Sequence, residues 1–118
     1  MYYKIKLTDE ARRDLRRIKN YLEEYKLEKT YKKIQQDISN LKFMPRIHKT
    51  LISSKNPNAE YRRIISGKYI IVYQIEYEHI NILRIFNQKE NYLNQRNFIL
   101  REKSSKYLTT SNGRSIIK

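Results

Sequence analysis

From Glu60 to Tyr92 the apolar positions change from a helical to a strand-like rhythm. Ile64, Ile65, Tyr69, Ile70, Ile71, Val72, Tyr73 and Ile75 are β-branched or aromatic, types that suit a pleated surface. Ser66-Gly67 breaks the first run, and glycine accepts the positive φ of a tight turn. Glu76-Tyr77-Glu78 separates the second run from Ile80 to Phe86. Three antiparallel strands joined by two short connections are predicted. Strict alternation in the last strand puts Ile80, Ile82, Arg84 and Phe86 on one face. Arg62 and Arg63 are adjacent and so point to opposite faces.

Upstream, Tyr3, Ile5 and Leu7 alternate with Lys4 and Lys6, which predicts a first strand over Tyr2 to Leu7. Thr8 is a suitable N-cap, with Asp9 and Glu10 at the positive end of the helix that follows. Ala11, Leu15, Ile18, Leu22 and Tyr25 form one apolar stripe on a helix from Asp9 to Tyr25. Arg12, Arg13, Arg16, Arg17 and Lys19 lie on its outer face. After a short connection, Lys26 to Lys29, a second stripe runs through Tyr31, Ile34, Ile38 and Leu41, and Pro45 stops it. The short join predicts an antiparallel helical hairpin packed on one face of the sheet. Pro45 to Ala59 reads as an irregular polar loop, and Tyr92 to Lys103 as a last helix. The domain therefore spans 1–103, followed by a flexible basic tail, 104–118. A four-stranded, mainly antiparallel sheet in an α+β fold is expected.

Charge changes the picture. Twenty-six Lys and Arg stand against 12 Asp and Glu, a formal charge of +14, which attracts phosphate polymers or an acidic partner. Eleven tyrosines supply rings on which bases stack, although a half-buried core role is the ordinary fate of such residues. Arginines in the strands read either as edge charges that oppose aggregation or as anion-binding groups. The absence of cysteine excludes a disulfide framework and thiol chemistry. No sequence pattern suggests a metal site, a glycine-rich phosphate loop or a Ser-His-Asp set, so no cofactor is expected. His48 is a candidate acid/base group by residue type, but a lone loop histidine is ordinarily just solvated. With no apolar run long enough to span a membrane and no leader, a cytoplasmic protein is expected.

The succession YRRI, GKYIIVY and ILRIFNQKENY behind a basic helical hairpin resembles the RelE/ParE superfamily of toxins from type II toxin–antitoxin modules. The resemblance implies an N-terminal strand, an antiparallel helical hairpin, a three-stranded antiparallel meander packed on it and a C-terminal helix. It also implies a cognate antitoxin. Its first target would be mRNA on the ribosome, cut by a metal-independent endoribonuclease that inhibits translation. The alternatives are a DNA gyrase poison without nucleic-acid cleavage, or an inactive RNA-binding module.

RNA carries its own nucleophile, so alignment and charge stabilisation can suffice for cleavage. By resemblance the catalytic positions are Arg62, Arg84, Lys89 and, more loosely, Tyr92. Arg63, Lys68, Lys49 and Lys55 are expected to bind RNA. The chain departs from many cleaving members at two places. Ile70 stands where an arginine is expected, and Asn87 where many carry histidine. Asparagine cannot exchange a proton at neutral pH.

Overall fold

Thr8 carries out two jobs that shape the molecule. Its hydroxyl oxygen accepts the amide of Ala11 at 3.0 Å, capping the first helix, and its hydroxyl donates to the carbonyl of Leu83 at 2.9 Å. Its own amide donates to the carbonyl of Ile82. The first helix is thus anchored to the strand that closes the meander.

The computed structural model describes residues 2–89 and, as backbone only, 100–102. The elements are β1 (Lys4–Leu7), α1 (Asp9–Glu24), α2 (Glu28–Asn40), β2 (Lys49–Ser53), β3 (Glu60–Ser66), β4 (Tyr69–Ile75), β5 (His79–Asn87) and β6 (Leu100–Glu102). They form one sheet in the order β1-β5-β4-β3-β2-β6. β1 runs parallel to β5, and the other pairs are antiparallel. The α+β architecture is that expected: a strand, a helical hairpin and a meander. Lys26, at φ 56°, makes the reversal between the helices, and Gly67, at φ 61°, opens the two-residue β3–β4 turn.

The helical stripes meet the sheet as their spacing predicts. Ala11, Ile18, Leu22, Ile34, Ile38 and Leu41 pack on Ile64, Ile71, Tyr73, Ile75, Ile80, Ile82 and Ile85. Each such aliphatic side chain contributes roughly 1.5–3 kcal/mol of burial. Tyr25, expected on the stripe, is instead exposed. β4 lies at the centre of the sheet. Its other face carries Ile70 and Val72 in a second buried cluster with Leu51, Tyr61 and Phe86. Burial on both faces is why β4 reads as a continuous apolar run rather than an alternation.

Three expectations are corrected. First, the stretch from Pro45 to Ala59 contains β2, paired with β3 from Lys49 opposite Arg63 to Leu51 opposite Tyr61. Five residues of which only Leu51 and Ser53 are buried leave a weak pattern. Among the described residues, six strands therefore stand where four were expected. Second, the backbone of 100–102 is strand β6 on the edge of β2, not the end of a helix. The remainder of the predicted helix, like the tail, lies outside the described residues.

Third, Ile80, Ile82, Arg84 and Phe86 do not share a face. Val72 pairs with Arg84 but Tyr73 pairs with Ile82, so Leu83 is an extra residue in β5. This bulge turns Arg84 and Phe86 to the side opposite Ile80 and Ile82. It sits where Thr8 takes the carbonyls of both Ile82 and Leu83.

Candidate functional site

Residues directly opposite one another in antiparallel strands share a face. On the side away from the helices, Lys49 pairs with Arg63, Arg63 with Val72, and Val72 with Arg84. A single cross-strand row therefore carries three cations over four strands. Its floor is apolar, since Val72 and Phe86 are fully buried. The strand spacing of about 4.8 Å puts the backbones of Arg63 and Arg84 roughly 10 Å apart.

Arg84 reaches from this row around the edge of β5. Its Nε lies 2.7 Å from Asp14 Oδ2 and its Nη2 3.2 Å from Asp14 Oδ1. Its guanidinium also stands 4.5 Å from the centre of the Phe86 ring. Asp14 is 2% exposed and additionally accepts the amide of Ile85 and a bond from Arg17 Nη2. β1 accompanies β5 only as far as Ile82, and the Asp14 carboxylate takes over as edge partner at Ile85. Asp14 is a functional neighbour that sequence reading missed. Its one signal is an acid on the buried stripe between Ala11 and Ile18.

Arg62 points to the other side, with Tyr73 as its cross-strand neighbour. Its Nε donates to Glu60, and its Nη1 donates to the carbonyls of Arg46 and His48, at 3.0 and 2.7 Å. Glu60 is also gripped by Arg46, whose Nη1 donates to Tyr3. Burial alone would raise the Glu60 carboxyl, but the bonds from Arg46 and Arg62 outweigh it and hold the group below its usual value. Tyr73 donates its hydroxyl to the carbonyl of Pro45, and burial pushes its phenol well above the usual range. His48 stacks edge-on to Tyr73, and burial lowers its imidazole. Arg62 therefore works as a staple for the segment leading into β2.

The remaining expected cations fall into two other places. Lys68 is in the β3–β4 turn, where its carbonyl accepts the amide of Gln88, and the amide of Lys89 donates to Asn87 Oδ1. Both therefore stand at one end of the sheet. Lys55 follows β2 at the opposite end, in a turn whose amides are capped by Ser53 Oγ. The structure thus unites Lys49, Arg63 and Arg84, and separates Arg62, Lys55 and the Lys68–Lys89 pair from them. Tyr92 lies outside the described residues. Among the described residues no group of three His, Cys, Asp or Glu side chains could hold a metal ion. None of the described helices is long and apolar enough to cross a membrane.

Residues 5–92 match the profile of a family described as the ParE toxin of the type II toxin–antitoxin system, parDE. Solved structures that share the fold include two whose descriptions name their systems. One is described as the chromosomal ParDE TA system from P. aeruginosa: TM-score 0.55, 19% identity, covering 73% of this chain and 96% of that one. The other is the archaeal RelE–RelB complex from Pyrococcus horikoshii OT3: TM-score 0.56, 16% identity, covering 75% and 97%. No curated protein sequence matches the chain.

Proposed function

Because this chain belongs to the ParE toxin family of type II toxin–antitoxin systems, we propose that it arrests growth by poisoning DNA gyrase rather than by cutting mRNA, and that a cognate antitoxin restrains it. The observation that carries this reading is the commitment of two arginines to the fold. A phosphate-aligning nuclease site would call on Arg62 and Arg84. Arg62 is spent on Glu60 and two backbone carbonyls, and Arg84 on Asp14. In addition, Asn87 stands where many cleaving relatives carry histidine, and an amide cannot exchange a proton at neutral pH.

The antitoxin reading draws on the charge of +14 and on the two related folds, both described as toxin–antitoxin systems or complexes. An anionic segment that folds as it binds suits such a surface. The ribosome-dependent mRNA endonuclease is the second reading. The row that starts at Lys49 and Arg63 favours it, since cations above an apolar floor would attract an RNA backbone even with Arg84 held by Asp14.

The test is a pair of assays after induction. Purified chain with gyrase and supercoiled plasmid should accumulate cleaved DNA–gyrase complexes, while primer extension on cellular mRNA shows no new 5′ ends. New 5′ ends inside codons, lost with Arg84→Ala, would instead establish the nuclease. Co-expression of the neighbouring gene should restore growth and yield a complex.

A further inference from the structure

On the helix side of the sheet, at the end away from β1, a cleft of about 320 Å³ opens between α1 and the ends of β4 and β5. It is lined by Arg17, Ile18, Tyr21, Tyr69 and Asn87. We propose that this cleft receives one unpaired nucleobase of a single-stranded nucleic acid, with the flanking phosphates running along α1.

The walls fit a flat, edge-polar ring. Tyr21 is half exposed and lies against Tyr25, with ring centroids 4.7 Å apart, so its ring is supported from one side. Ile18 supplies an apolar base to the cleft. Tyr69 bonds to Asn87, and burial raises its phenol, so it stays a neutral hydroxyl at physiological pH. The Asn87 amide, held by the Lys89 amide and by Tyr69, makes this end of the cleft polar, as a base edge requires. Base–aromatic stacking is sequence-tolerant, because every base has a π-face.

The approach to the cleft fits the phosphates. Arg13, Arg17 and Tyr21 follow one another at four-residue steps, which aligns them on one strip of α1. Arg17 keeps its guanidinium largely exposed even while it touches Asp14. On the far rim Lys68 adjoins Tyr69 in sequence, and Lys89 follows Asn87 by two residues. An acidic peptide would satisfy these cations equally. What favours a base is the combination of the Tyr21 ring, for stacking, with a polar Tyr69–Asn87 end, for a ring that is polar at its edge. Equal binding of a base-bearing and an abasic strand would count for the peptide. The cleft lies on the opposite face of the sheet from Lys49 and Arg63, although Lys68 and Lys89 on its rim are among the cations expected by resemblance to act on RNA.

The experiment is fluorescence anisotropy with the purified full chain. The probes are a short fluorescein-labelled oligodeoxynucleotide and a counterpart of equal length with abasic residues, which keeps every phosphate and removes every base. The base-bearing strand should bind roughly ten-fold more tightly. Tyr21→Ala should erase that ratio and Tyr21→Phe retain it, while Arg13→Gln weakens both probes together and leaves the ratio intact. An RNA strand of the same sequence shows which sugar is preferred. Equal binding of the two DNA probes, or a ratio untouched by Tyr21→Ala, would overturn the proposal. Tyr77→Ala, at a 94% exposed tyrosine outside the cleft, controls for loss of a surface ring. None of these readouts requires gyrase or growth arrest, so the proposal stands or falls independently of the toxin's target.

Discussion

Asp14 Oδ2 accepts hydrogen bonds from Arg84 Nε at 2.7 Å and from the amide of Ile85 at 2.9 Å. One carboxylate thus closes the edge of β5 and neutralises the arginine that the last strand would otherwise present. Asp14→Ala should remove both, leaving a partly buried cation and an unpaired amide, at a cost of about 3–5 kcal/mol. Arg84→Ala should cost less, since Arg17 and Ile85 still satisfy Asp14. The double variant should lose less than the sum, because the two residues share one interaction. Urea unfolding of the four proteins checks this. A cost below about 1 kcal/mol for Asp14→Ala would mean that the carboxylate does not hold the edge.

Arg62 and Tyr73 together bind the carbonyls of Pro45, Arg46 and His48. Arg62→Ala should destabilise the fold by about 2–3 kcal/mol, and Tyr73→Phe by about 1–3 kcal/mol, through the unsatisfied carbonyl. Hydrogen exchange should show lost protection in β2, which this segment leads into. Uniform loss across all strands would argue for a global effect instead.

Glu60 and His48 predict how stability responds to acid. The Glu60 carboxyl is depressed in the folded state, so its contribution is present above the ordinary value of 4.5 and disappears as the pH falls through the lower folded value. The His48 imidazole is also lowered, by burial, from an ordinary 6.5. The unfolded chain therefore takes up that proton first, and stability declines as the pH falls below about 6.5. Both slopes have the same sign. Denaturation midpoints measured from pH 8 to pH 3 should fall in two steps. His48→Gln should remove the upper step, and Glu60→Gln the lower.

Ile70 stands where an arginine is expected by resemblance, which suggests restoring it. The structure argues otherwise. Ile70 is 7% exposed, opposite the fully buried Phe86. Ile70→Arg should force a cation into that cluster and cost about 3 kcal/mol, visible as a lower thermal midpoint. Unchanged stability together with new cleavage of mRNA would revive the nuclease reading.

The order of elements was legible from local pattern. A helical stripe or an alternating strand is written in residues a few positions apart, and Thr8 and Gly67 mark ends through their own local chemistry, whereas α2 ends at Asn40, ahead of Pro45. β2 escaped because five residues with two buried positions carry too little pattern. The bulge at Leu83 escaped because the group that takes the carbonyls there, Thr8, is far away in the chain.

By itself, then, the sequence determined the α+β architecture, the packing of both helical stripes on one face of the meander, and a strongly cationic surface. It also held the motif order that resembles the toxin superfamily. Tertiary structure alone decided which cations stand together and which are already paired. Arg62 and Arg63 look equivalent in the chain, yet the pleat sends one to Glu60 and the other into a row with Lys49 and Arg84. Arg84 in turn is governed by an aspartate 70 residues away. The physical reason is that periodicity encodes burial within an element, whereas charge pairing depends on distances between elements, which only the closed sheet and its docked helix establish.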